Sequence, residues 1–402
     1  MDKYQYLSQL NMKNKLKKVL LVMLSIISMI SLVACSSSTQ SSQSSDSNAK
    51  ENIRTITDAV GNKVEIKGEV KKIGVVPIPW ASVIYSIDGS SERLAEINPS
   101  AMKAYEGSLL QILDPNFANI STKNIGSDFS INKEEILNEG VDSMLIWDYQ
   151  TEEAEQLKKI GVAPIMLKNS NMDELTSSLT VVGELLNKEE KAQSFIDCYK
   201  DTYKYITSKS DEIKNKPMLD FPTLGNPTQL NTKGKNKEKQ KVLYLRSSDL
   251  KVQGNDNFMK EVLEICGAEN VAADVDSTVT MEEVLKMDPD IIFLSDFDEF
   301  TPEDLYENKI DGQDWSNVSA VKNRRVYKTP LGVYRFDAPG VETPLMMLWM
   351  GKIISPDVFT EYEIDKSFKS YYEEYFNYKL TDKDLNSVLK DEQNSKSMKY
   401  DR

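Results

Sequence analysis

The sequence predicts an α/β fold of two parallel-sheet lobes joined by a single long helix, with a cleft between the lobes. Three observations carry that expectation. First, INKEEILNEGVDSMLIWD, residues 131–148, returns as VTMEEVLKMDPDIIFLSD, residues 279–296. A constant offset of 148 residues pairs Glu134 with Glu282, Glu135 with Glu283, Leu137 with Leu285, Asp142 with Asp290 and Asp148 with Asp296. Second, apolar runs of strand length alternate with helical patterns on both sides of residues 171–215, the signature of parallel α/β crossover units. Third, 402 residues with 40% apolar content exceed what one core organises, since single cores stop growing at roughly 250 residues.

From the amino terminus, Lys13, Lys15, Lys17 and Lys18 precede the apolar run VLLVMLSIISMISLVA, which ends at Cys35 before a Ser-rich tract. The run has 16 residues, short of the ~20 that span a bilayer. Residues 1–34 resemble a bacterial lipoprotein signal peptide, whose LVAC box directs lipidation of Cys35, and Met12 offers a second start. Residues 35–52 are a polar tether with nothing to bury. The formal net charge of −14 argues against nucleic acid and against adsorption to anionic lipid, leaving an acyl chain as the membrane attachment.

Residues 53–170 form the expected first lobe, opening with the hairpin pattern RTITDAVGNKVEI around Gly61-Asn62 and the strand KKIGVVPIP. Residues 171–215 carry apolar side chains near helical spacing without proline and read as one linking helix, with a break near Asn187. Residues 216–240, rich in Pro, Gly, Asn and Lys, read as a mobile insertion, and 241–383 as the second lobe, followed by a charged tail over 384–402. Cys198 and Cys266 fall in helical segments of different halves and read as two free thiols rather than a disulfide.

Within the repeat, Asn132 and Thr280 are N-caps. Glu135 and Glu283 then fall at the third helical position, where a carboxylate reaches back to the cap amide. Glu134 and Glu282 are not needed for capping. A first-turn acid is stabilised by the helix dipole alone, worth ~0.3–1 kcal/mol, yet two equivalent acids also make a symmetric pair of docking points.

The order hairpin, strand, first lobe, linking helix, KVLYLRSS, GNDNFMKEVLEICGAENVA, TMEEVLKMDPDIIFLSD and WSNVSAVKNRRVYKTP, over roughly residues 54–375, resembles the substrate-binding lipoproteins of ABC importers for iron–siderophore complexes, haem and cobalamin. The insertion at 216–240 and Gly68, where many members have proline, are the departures. The resemblance implies an extracytoplasmic, lipid-anchored protein that serves a permease dimer with a cytoplasmic ATPase. It also implies docking of Glu134 and Glu282 onto arginines of that permease.

In parallel sheets ligands bind beyond the carboxyl ends of strands. Those ends carry Trp80, Trp147, Tyr149 and Arg246, and the loop GVYRFDAPG adds Tyr334, Arg335 and Phe336. Guanidinium groups suit carboxylate, catecholate or oxyanion ligands, and the aromatic rings suit a flat or bulky chelate. Asp148 and Asp296 read as caps of the helices that follow. The expected cargo is a ferric siderophore or other iron chelate, ahead of haem, cobalamin and molybdate or tungstate, with no resident cofactor or metal. The chain contains no His and no GxGxxG, GxxxxGK[ST] or GxSxG motif, which counts against an exported enzyme. A lipid-anchored sensor without a permease shares the expected fold.

Overall fold

The computed structural model describes residues 53–209, 212–213, 239–254 and 257–402. The leader, Cys35, the tether and most of the 216–240 insertion lie outside the described residues. Two four-stranded sheets, both wholly parallel, organise the chain. The first orders its strands β4–β3–β5–β6, where β3 is Ile73–Val75, β4 Leu94–Ile97, β5 Ser143–Trp147 and β6 Ala163–Leu167. The second orders them β8–β7–β9–β10, where β7 is Gln240–Leu245, β8 Ala268–Asn270, β9 Ile291–Leu294 and β10 Val326–Lys328. Counted within each lobe, both sheets run second, first, third, fourth strand. The sequence repeat is therefore the visible part of a repeated topology.

The repeat encodes one structural device twice. Helix α4 (Lys133–Asn138) leads into β5, and helix α9 (Met281–Met287) leads into β9. Asp142 Oδ2 accepts the backbone N–H groups of Lys71 and Lys72 at 2.6 and 2.7 Å, and Asp290 Oδ2 accepts that of Lys241 at 2.8 Å. Lys72 Nζ then donates to Glu139 O at 2.6 Å, and Lys241 Nζ to Met287 O at 2.7 Å. In each lobe the aspartate ties the third strand to the start of the first, while the lysine caps the carboxyl end of the helix.

The caps themselves differ. Thr280 and Glu283 form the expected capping box, but the Asn132 N–H donates to Asn124 O instead, so Glu135 has no cap amide to reach. Only the Asn132 side chain, accepting the Glu135 N–H at 3.4 Å, closes the first helix.

Strand side chains alternate between two cores, as a sheet covered on both faces requires. Ile73, Val75, Leu145, Val242, Tyr244, Ile291 and Phe293 enter one large core that runs through both lobes. Met144 and Ile146 face a smaller core outside the first sheet, and Leu243, Leu245, Ile292 and Leu294 face another outside the second. The antiparallel hairpin of β1 (Ile53–Thr57) and β2 (Lys63–Lys67) docks on β6 through the Ala59 N–H to Met166 O bond at 3.1 Å.

The linking segment is two helices rather than one. Helix α6 (Met172–Leu186) ends at Asn187, in the left-handed conformation at φ 53°, and α7 (Glu189–Ser208) follows. A Cβ at Gly183 would overlap that of Ala192, so only glycine lets the two helices fold back this tightly. Arg54 donates to Glu184 O and Leu185 O at 2.6 and 2.7 Å, and Arg93 to Leu186 O at 3.1 Å, placing two cations at the negative end of α6. Helix α6 packs on α1 (Trp80–Asp88) of the first lobe, and α7 on α12 (Thr343–Ile354) of the second. Cys198 and Cys266 are free thiols, as expected.

Residues 384–402 are not a tail. They form part of α14 (Asp382–Val388) and a run that covers β10, the edge of the second sheet. Asn394 Oδ1 accepts the Lys328 N–H at 2.7 Å while its Nδ2 donates to Lys328 O at 3.0 Å, and the Ser397 hydroxyl donates to Val326 O at 2.5 Å. An open edge strand leaves such groups unpaired, and the charged composition hid the few residues that pair them. Leu389 is fully buried, and the Tyr400 hydroxyl accepts Trp349 Nε1–H at 3.0 Å. Leu389→Ala is expected to cost about 2–5 kcal/mol in a denaturant titration, the range for a large-to-small core substitution, where a solvated tail would show almost nothing.

Candidate ligand-binding site

The carboxyl ends of both sheets converge on the loop after β10. Leu109, in the first lobe, donates its N–H to Gly332 O at 2.8 Å. Tyr334 packs over a small, mostly apolar pocket whose walls include Ile78, Ala81 and Ser82 after β3 and the stacked pair Tyr105 and Phe117, 5.3 Å apart. The two lobes thus meet at the loop that the sequence marked for ligand contact.

That loop is held from inside by Glu342. Its carboxyl group accepts the Val333 and Tyr334 N–H groups, each at 3.0 Å, and the Tyr372 hydroxyl. A Cβ at Gly332 would overlap both Glu342 Oε1 and the Tyr372 oxygen, so the loop passes too close for any other residue. Burial pushes the Glu342 carboxyl up to about 7, the hydrogen bonds from Tyr372, Val333 and Tyr334 opposing it.

Arg335 is 6% exposed and extends over the ring of Phe297, its guanidinium carbon 4.2 Å from the ring centroid. Arg246, leaving the end of β7, packs its guanidinium over the same ring at 4.8 Å. Arg335 Nε donates to Asp296 O at 3.0 Å, while its Nη1 makes no hydrogen bond within the described residues. Two cations on one aromatic ring, one with a buried donor to spare, form a natural receptor for an anion. Asp337, buried beside them, accepts the Ser295 hydroxyl, and burial raises its carboxyl above the ordinary range.

The remaining expected residues divide. Trp147 and Tyr149 stack on each other at 6.5 Å at the end of β5, with Tyr149 64% exposed. Trp80 begins α1 fully buried, its Nε1–H without a partner among the described residues. Phe336 turns away into the core and stacks on Phe368 at 5.7 Å. Among the described residues Asp148 and Asp296 cap no helix. Asp148 lies near the surface, 3.9 Å from Lys168, and the following helix has Gln150 at its cap. Asp296 is buried 3.5 Å from Lys390 and 3.8 Å from Lys328, and burial, opposed by those lysines, raises it to about 6.

Sequence reasoning passed over Phe297, Asp337 and Glu342. The repeat itself could have found Phe297, which stands where Tyr149 stands in the first copy. Nothing in the sequence marks Glu342 as more than an acid at a helix start.

A family model described as periplasmic binding protein matches residues 114–331. The chain belongs to the periplasmic binding protein family. Members of that family bind solutes, and the relatives of this chain are named for binding rather than for catalysis. A periplasmic solute binding protein from Veillonella parvula is 38% identical, with a TM-score of 0.76 over 86% of this chain and 99% of that one. An uncharacterized ABC transporter substrate-binding lipoprotein of Bacillus subtilis, YvrC, is 24% identical over 76% of this chain and 87% of its own length. The molybdate-binding protein MolA of Haemophilus influenzae is 23% identical over 80% of this chain and 91% of its own. This chain is therefore an ABC-transporter-type substrate-binding protein of two α/β lobes.

Glu342 gives the fold a measurable pH dependence. Its carboxyl titrates higher in the folded protein than the ordinary 4.5, so its contribution is fully present below about 4.5 and is lost as pH rises through about 7. Against Glu342→Gln, whose side chain does not titrate, the native protein is expected to lose on the order of 3 kcal/mol between pH 4.5 and pH 8 in paired denaturant titrations. A constant difference across that range would mean that the Glu342 carboxyl titrates normally.

Proposed function

We propose that this protein captures an anionic iron chelate outside the cytoplasmic membrane, to which a lipid on Cys35 anchors it, and delivers it to an ABC permease dimer driven by a cytoplasmic ATPase. The observation that carries the cargo class is the pairing of Arg246 and Arg335 over Phe297. Cations packed on a ring, Arg335 tied in addition to a backbone carbonyl, lose little freedom when they grip carboxylate or catecholate oxygens. Trp147, Tyr149 and Tyr334 supply aromatic surface for the body of the chelate, whereas Trp80, fully buried in the core, is not among the contacts. Phe336 is not among the contacts, because its ring is committed to Phe368.

A molybdate-type oxyanion is the second reading. It is favoured by the likeness to MolA, and the same two arginines serve it. Delivery rests on Glu134 and Glu282, both exposed, one on each lobe at the same position of the repeat. Their shared position in the repeat supports this reading, since a partner with two equivalent faces asks for one such acid on each lobe.

Calorimetric titration of the purified protein with ferric citrate and, separately, with sodium molybdate distinguishes the cargoes. Ferric citrate is expected to bind, and Arg246→Ala or Arg335→Ala to weaken it about 10- to 100-fold, the worth of a hydrogen bond to a charged group. Binding of molybdate with no heat from ferric citrate would replace the chelate by the oxyanion. Unchanged affinity in both arginine variants would remove the anion site itself.

A further inference from the structure

Helices α4 and α9 share more than an acid. On each, one residue seals the helix onto its lobe: Ile136 and Val284 are both fully buried, in the outer cores of the first and second sheets. The next residue on each faces outward, Leu137 at 47% and Leu285 at 42% exposure, among the few large apolar side chains the described surface displays. Leu137 follows Glu134, and Leu285 follows Glu282, by three positions, so acid and leucine lie on the same side of their helix, about one turn apart. Neither glutamate forms an ion pair among the described residues.

A single exposed leucine needs no explanation. Two at the same register of a repeated topology, each beside an uncommitted acid, are a different matter. The core does not ask for them, because Ile136 and Val284 already fill the inward position and Asp142 and Asp290 already fix the following strands.

We propose that Leu137 and Leu285 are the apolar anchors of the docking face, so that each lobe presents a glutamate and a leucine as one unit to the permease. Resting on the importer reading above, this names the chemistry of the partner surface: two equivalent sites, each with a cation set beside an apolar socket. The cation meets Glu134 or Glu282, and the socket takes the leucine out of water. Burial of an anchor side chain next to a charge pair is the arrangement that concentrates interface energy in few residues. The acidic pair sets orientation and encounter rate, and the leucines lengthen the life of the complex.

The test places a photo-cross-linking amino acid singly at 134, 137, 282 and 285 of the full-length chain in its own host, with exposed Ile112 as the control position. Cross-linked partners are identified by peptide mass spectrometry. The expected result is cross-linking of both 137 and 285 to an ABC permease subunit, with none from 112. In membranes of that host, Leu137→Ser with Leu285→Ser is expected to weaken binding at least tenfold, while thermal stability and ferric citrate titration of the purified variant stay native. Permease products from 134 and 282 with none from 137 and 285 would overturn the leucine anchors and leave the importer reading intact. No permease product from any of the four positions would overturn both.

Discussion

One buried carboxyl group sets the geometry on which the rest of this site depends. Glu342 takes two consecutive backbone amides and a tyrosine hydroxyl at once, and thereby bends residues 331–337 into the space between the lobes. A peptide segment at that depth must find partners for its polar groups, and a side chain that accepts from both Val333 and Tyr334 supplies them without a strand. From this hold follow the cross-lobe bond from Leu109 to Gly332, the placement of Tyr334 against the first lobe and the delivery of Arg335 to the ring of Phe297. Helix α12, whose N-cap is Glu342, is buried along its whole length, so the anchor sits on a rigid support.

The second lobe concentrates charge and the first supplies aromatic and apolar surface. Arg246, Arg335, Asp296, Asp337 and Lys328 all lie at the strand ends of the second sheet. Lys328 Nζ is spent on the carbonyls of Ser295, Asp298 and Phe300, with Asp296 nearby. That network fixes the backbone around Phe297, and the ring in turn carries the two arginines. A receptor built this way is preorganised, because the cost of gathering like charges is met during folding rather than at binding.

Much of the fold was legible because it rests on period and repetition. Alternating strand and helix patterns located the two sheets. The repeat marked equivalent third strands, and a helix-length apolar pattern marked the connection, where Asn187 breaks it. What composition hid was pairing at a distance. The closing segment reads as charged and polar, yet Asn394 completes an edge strand 66 residues away. The cap of α4 read like that of α9, but a backbone contact from Asn132 to Asn124 displaced the box. In the site, arginines and aromatics at strand ends were visible by residue type. Glu342 was not, since an acid at a helix start is ordinary and only the depth of the loop makes it structural. Phe336 misled for the opposite reason, its type suiting a contact that its side of the loop does not face.

Amide hydrogen exchange at Val333 and Tyr334 tests the central claim most directly, because these are the two N–H groups that Glu342 holds. In Glu342→Gln one of the two acceptor oxygens becomes a donor, facing a donor. The account predicts that these amides, and that of Leu109 with them, exchange at least tenfold faster than in the native protein while the β5 and β9 amides keep their protection. Equal protection of Val333, Tyr334 and Leu109 in both proteins would contradict it, and the loop would then be held by something other than this carboxyl group.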